Sequence, residues 1–139
     1  MNLDLLFTIC NFAVMPCWLA LIFIPENPWV KKIITGVVLL IALVYVSQLR
    51  TFFQMEEGGF GSLQDVMLLF KNESAVLAGW VHYLAFDLLI GRWIATDALK
   101  NKITKWAVAP CLVFTFMLGP VGFLLYSIVK YFLSKNSTN

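Results

Sequence analysis

The strongest constraint on this chain is its set of four long apolar runs: Leu3 to Ile24, Val30 to Phe53, Val76 to Ala98 and Ala107 to Phe132. About 20 mostly apolar residues cross roughly 30 Å of hydrocarbon as a helix. Inside lipid only helices or closed barrels satisfy every backbone polar group, and runs of this length fit helices. The composition, 60% apolar and 13% charged over 139 residues, agrees. The sequence therefore predicts an all-α membrane protein with one transmembrane domain over residues 1–139, built as a four-transmembrane-helix antiparallel bundle. The connections PENPWVKK and KNKITK are short, so the first two spans are expected as neighbours, and likewise the last two. The first run has no basic lead and exceeds a signal h-region, which reads as a retained span.

Between the second and third spans, GGFG (Gly58 to Gly61) is expected to break the second helix, since each glycine costs about 1 kcal/mol relative to alanine. Ser62 can cap a short amphipathic segment over 62–72, with Asp65 completing an approximate capping box. Leu63, Val66, Met67 and Phe70 recur there at helical spacing, so the segment either lies along the interface or re-enters to roof a cavity. Loops one and three carry Lys31, Lys32, Lys100, Lys102 and Lys105. The opposite side of a four-span bundle carries Arg50, Lys71, Lys130 and Lys135 with Asp4, Glu56, Glu57, Asp65 and Glu73. That bias puts loops one and three in the cytoplasm. The lysines form no stripe for nucleic acid. Cys10, Cys17 and Cys111 fall inside spans as small apolar groups, with no CxxC or disulfide framework. Asn136 to Thr138 matches a glycosylation sequon, a pattern short enough to arise by chance.

The third span holds the chain's only histidine together with acids and an arginine. An aspartate at a helix centre costs about 2.5 to 3.5 kcal/mol on insertion scales. Asp87 is eleven residues from either end of its run and cannot snorkel out. His82 and Arg92 lie about 7.5 Å to either side along the axis. At about 100° per residue, His82, Asp87, Arg92 and Asp97 fall near roughly 0°, 140°, 280° and 60°, so they share no stripe. Trp80, Tyr83 and Asp87 do lie within about 60° of one another, giving a face with one acid and two aromatics. That face can line a slot for a flat apolar ligand, or Asp87 can simply join helices through hydrogen bonds. Pro120 leaves the Phe116 carbonyl without its helical donor, and Pro16 does the same for Phe12, with Asn11 close by. Together these groups suggest a polar pocket near the midplane.

The ordered set Trp80-x-His82, Asp87-Leu88, Arg92, Asp97 and Asn101, followed by Pro120-Val121-Gly122, closely resembles the abscisic-acid-deficient-four family. These are the neoxanthin-synthase-associated membrane proteins of plants and their bacterial relatives. The likeness extends to Pro16 and Pro25 and so covers nearly the whole chain. The resemblance implies a protein needed to convert violaxanthin, a carotenoid epoxide, into the allenic xanthophyll neoxanthin. Its implied partners are a carotenoid and membrane lipids, with a second copy or another carotenoid enzyme beside it. Plant members carry a chloroplast targeting extension; without one, a bacterial inner or plasma membrane is expected, or a plastid membrane for an organelle-encoded chain.

Opening an epoxide to an allenic alcohol involves no net redox change, so no cofactor is expected. A single histidine also falls short of a di-iron cluster or a bis-histidine haem, and no metal is expected. The cost of charge in hydrocarbon favours a protonated Asp87, fit to act as an acid, with His82 as base or relay and Arg92 holding the developing alkoxide. Trp80, Tyr83 and Asn11 are the candidate substrate contacts, and Asp97, Asn101, Pro16 and Pro120 the supports. Two other readings stand beside this one: a non-catalytic carotenoid-binding or enzyme-organising partner, and a component of proton or solute transport.

Overall fold

Asn2, Ser62 and Asn72 each open a helix by accepting backbone N–H groups on a side-chain oxygen, from Leu5 at 3.1 Å, Asp65 at 3.1 Å, and Ser74 and Ala75 at 2.9 and 3.3 Å. The computed structural model describes residues 2–52 and 58–135. Glu56, Glu57 and the sequon at Asn136 lie outside them. Six helices occur among the described residues: α1 (Leu3–Phe23), α2 (Pro28–Phe52), α3 (Leu63–Leu69), α4 (Glu73–Lys100), α5 (Lys105–Leu118) and α6 (Pro120–Lys135). Three of these, α1, α2 and α4, are long and apolar enough to cross a membrane, which makes this an integral membrane protein.

Helix α4 is the hub, touching α1, α2, α5 and α6. Its buried Leu77, Val81, Leu84, Leu88 and Ala95 recur at intervals of three, four and seven, which keeps one stripe inward. Against that core lie Cys10, Val14 and Trp18 of α1, Ile34 and Ile41 of α2, and Val108 and Leu112 of α5. The pairings fix direction. Phe7 and Trp18 of α1 meet Trp80 and Gly91 of α4, so those helices run parallel. Thr35 and Tyr45 of α2 meet Arg92 and His82, so α2 runs antiparallel to α4. At its far end α4 stops in a Schellman turn. Lys102 takes the left-handed conformation (φ 56°), and Ile103 N–H reaches back to the Ala98 carbonyl at 2.9 Å.

The fourth apolar run corrects the expected bundle. It is two helices that reverse at Gly119 (φ 44°). Gly122 lies flat on α5, where an added Cβ would run into the Thr115 amide nitrogen and the Cys111 carbonyl. From there α6 follows α4 back toward its C-terminal end. Trp93 packs on Phe123 and Tyr126 with ring centroids 5.6 and 5.9 Å apart, and both Tyr126 and Lys130 reach Asp97. The α5–α6 pair is thus a helical hairpin with its tip beside the middle of α4 and both outer ends near Lys100. Hydropathy alone is identical for a run that crosses and one that doubles back, so four continuous spans were expected where three long helices and a hairpin are found. Lys130 and Lys135 consequently sit toward the end that carries loops one and three, not the opposite one.

Helix α3 has seven residues. Leu69 is buried and the Phe70 ring lies over Gly79, while Leu63 and Met67 face away from the protein.

Candidate functional site at the hairpin tip

The tip is built around the Asp87 carboxyl. A Cβ at Gly119 would stand 2.7 Å from Asp87 Oδ1 and 3.1 Å from Oδ2, so only glycine permits both the positive φ and this approach. Pro120 then opens α6 as its first residue, where a missing N–H costs nothing. Below the turn, Gly119 N–H donates to the Thr115 carbonyl at 2.9 Å. Thr115, fully buried, donates its own hydroxyl to the Cys111 carbonyl at 2.8 Å. Small side chains let α5 and α6 close on each other here.

The Phe116 carbonyl, which a continuous helix through Pro120 would leave without a donor, accepts from the Tyr83 hydroxyl at 3.4 Å. The same hydroxyl is close enough to Asp87 to interact with it. Asp87 Oδ2 is fully buried and has no hydrogen-bond partner among the described residues. The turn that ends α5 and begins α6 lies beside this carboxyl, yet the Gly122 and Phe123 amides donate to the Gly119 carbonyl and not to the acid.

A line of contacts leads away from the tip. Tyr83 packs on Trp80 with rings 5.7 Å apart, and Trp80 on Phe7 at 5.5 Å. Trp80 Nε1 donates to Asn11 Oδ1 at 3.1 Å, while Asn11 Nδ2 donates to the Phe7 carbonyl at 2.7 Å. Trp80 and Tyr83 therefore share a flank of α4 with Asp87, as their spacing implied, and Asn11 of α1 meets Trp80 there. At the outer end of this line is a cleft of about 630 Å³ between α1 and α4, lined by Phe7, Val76, Leu77 and Trp80 with Asp4, Lys71 and Glu73 at its rim.

His82 and Arg92 belong to the other flank of α4. His82 is exposed, stacks on Phe86 (4.5 Å) and tilts against Tyr45 (5.8 Å), and it lines a second cleft of about 630 Å³ with Leu49, Phe70 and Gly79. Arg92 donates to the Thr35 hydroxyl of α2. Neither joins Asp87 in a common cleft, and Asp87 itself lines neither of these two clefts nor a third, smaller one between α1, α4 and α5. Where a midplane pocket was expected beside Asp87, the hairpin tip packs against the carboxyl at Gly119, a reversal that hydropathy did not disclose.

Asp97 is a latch for the hairpin: its Oδ2 accepts from Tyr126 Oη and Lys130 Nζ, each at 2.6 Å. Asn101 Nδ2 donates to the Asp97 carbonyl at 2.7 Å, in keeping with a supporting position at the end of α4. Pro16 lies within α1, which continues through it to Phe23. Sequence reasoning gave no role to Gly119, Thr115, Tyr126 and Thr35, and took Gly122 only as part of the motif Pro120-Val121-Gly122. The Gly-Pro pair at 119–120 was the available signal, because glycine ends helices and proline begins them.

The architecture and this site define a class: an all-helical integral membrane protein that holds a carboxyl against the tip of a helical hairpin. Within that class the chain belongs to the ABA DEFICIENT 4-like family, whose model matches residues 5–126. The matched range contains Asn11, Trp80, Tyr83, Asp87, Gly119 and Tyr126. No curated protein and no solved structure matches the chain.

Proposed function

We propose that the protein modifies a xanthophyll in the bilayer, isomerising a carotenoid epoxide of the violaxanthin type to an allenic alcohol. One observation carries the reading: a buried carboxyl oxygen without a partner, beside the turn between α5 and α6. A buried polar atom left unpaired is costly and calls for an explanation. Family membership and the aromatic flank of Phe7, Trp80 and Tyr83 support a flat, apolar ligand.

In this mechanism Asp87, as the neutral acid, gives its proton to the epoxide oxygen while the C–O bond to the ring carbon bearing the polyene breaks. The carboxylate takes the proton from the adjacent vinylic carbon, and that C–H pair becomes the second double bond of the allene. The acid is regenerated, and no electrons enter or leave. Tyr83 orients the carboxyl and the hairpin tip moves aside to admit the ring. His82, on the far flank, takes no direct part. The test is purified protein given violaxanthin alone. Neoxanthin from the wild-type protein and none from Asp87→Asn is the expected result; equal product from the variant removes Asp87 from the mechanism. A second reading, a holder of carotenoid, is favoured by the clefts that Asp87 does not line. It gains if pigment co-purifies unchanged.

We further propose three crossings, with the hairpin entering and leaving from the cytoplasmic side. Seven of the ten Lys and Arg residues, Lys31, Lys32, Lys100, Lys102, Lys105, Lys130 and Lys135, lie toward that end in sequence and pairing. A cysteine placed at Ser62 should react with an impermeant maleimide on intact cells, and one at Lys102 only after permeabilisation. The reverse pattern overturns the orientation.

A further inference from the structure

The end of the molecule that gathers loops one and three also holds a narrow apolar cleft. It has a volume of about 210 Å³, lies between α1, α4 and α5, and is lined by Leu21, Ile22, Ala95, Leu99, Val108 and Leu112. Its mouth carries Lys105 and one carboxylate, Glu26. Lys100 and Lys102 stand in the same turn, and the left-handed backbone at Lys102 leaves that residue exposed. Lys31 and Lys32 open α2 at this end. Two tryptophans flank the lysines, with Lys32 Nζ 4.7 Å above the Trp29 ring and Lys105 Nζ 5.9 Å from Trp106, both rings being largely exposed. Amphipathic rings and long cationic side chains in this arrangement are those that settle at the level of lipid headgroups. At the opposite end the described charges are Arg50 and Lys71 against Asp4, Asp65 and Glu73, so the basic surplus is confined to one face.

We infer that this face binds an anionic glycerophospholipid, with part of one acyl chain in the cleft and the headgroup phosphate among Lys100, Lys102 and Lys105. The cleft is apolar throughout its depth and charged only at its mouth, which matches a molecule with a hydrocarbon tail and an ionic head. The three lysines outweigh Glu26, and Asp97, which also acts on Lys100, is paired with Lys130, so the balance selects a net negative headgroup over a zwitterionic one. The site is remote from Asp87 and independent of the chemistry proposed there.

The test is native mass spectrometry of purified protein equilibrated with equimolar phosphatidylglycerol and phosphatidylcholine. The wild-type protein should retain phosphatidylglycerol in about tenfold excess. Lys100→Gln, Lys102→Gln and Lys105→Gln together should bring the ratio near unity, while Arg50→Gln with Lys71→Gln leaves it unchanged. Ala98→Phe, which fills the cleft without altering charge, should abolish the stable adduct. Equal retention of the two lipids by the wild-type protein overturns the inference. So does an unchanged ratio in the triple variant, or a persistent adduct in Ala98→Phe. An excess of inorganic phosphate should leave the ratio intact; displacement by it would show a free-anion site and overturn the assignment to lipid.

Discussion

The two flanks of α4 solve the same problem differently. On the α2 side, a continuous helix lies along α4 and the polar groups find neighbours: Arg92 reaches Thr35, and His82 stacks between Phe86 and Tyr45. Packing is close there as well, with Ile34, Val38 and Ile41 of α2 buried against the core, while Gly36 on the outer face of α2 has nothing within 4 Å of an added Cβ. On the hairpin side, the partner helix is cut in two, its glycines are in close contact, and one carboxyl oxygen is left without a partner. The lesson is that a charged residue in a span need not mark chemistry when its neighbours satisfy it. Attention belongs where the backbone has been bent to reach an acid and has still not satisfied it.

The comparison breaks most readily at Gly122. Replacing it with leucine forces the hairpin open against Thr115, at a cost of about 3 kcal/mol or more. Size-exclusion chromatography should show most of that variant aggregated; a monodisperse peak with wild-type thermal stability would deny the close packing. Next comes Asp87→Asn, which keeps shape and removes the exchangeable acid. Turnover of the epoxide should fall on the order of 100-fold or more, with the melting temperature little changed, and a large loss of stability with turnover intact would reverse the assignment of site and scaffold. A smaller effect is expected at the latch. Tyr126→Phe deletes a donor to Asp97 and should cost about 1.5 to 3 kcal/mol in detergent unfolding, and a null result would leave the hairpin held by packing alone. The smallest is on the outer face of α2: Gly36→Ala should gain up to about 1 kcal/mol through helix propensity, and destabilisation there would mean that this face is covered by a partner.

Much of this contrast was legible in the sequence. Hydrophobic length located α1, α2 and α4, the Ser62 cap followed from residue type, and the arithmetic of a 3.6-residue helix put Trp80, Tyr83 and Asp87 on one face while sending His82 and Arg92 elsewhere. Thr35 escaped notice because a threonine in a span looks like any half-apolar filler until its partner's position is known. The reversal at Gly119 escaped for a deeper reason. Burial in lipid and burial in protein impose the same apolar composition on Ala107 to Phe132, so length alone counts a crossing whether or not the chain goes through. What discriminates is spacing of small residues, Thr115, Gly119 and Gly122, and that pattern records contact between helices and not exposure to solvent.

The hairpin's shortness has a consequence for access. Helix α5 has 14 residues, a rise of about 21 Å, and it ends level with Tyr83 and Asp87. Beyond that depth, the flank of α4 bearing Val76 and Trp80 faces α1 and carries the cleft beside Phe7. Packing by the hairpin is thereby confined to one half of α4's length, and the other half keeps an open cleft whose aromatic wall runs from Trp80 through Tyr83 toward the acid.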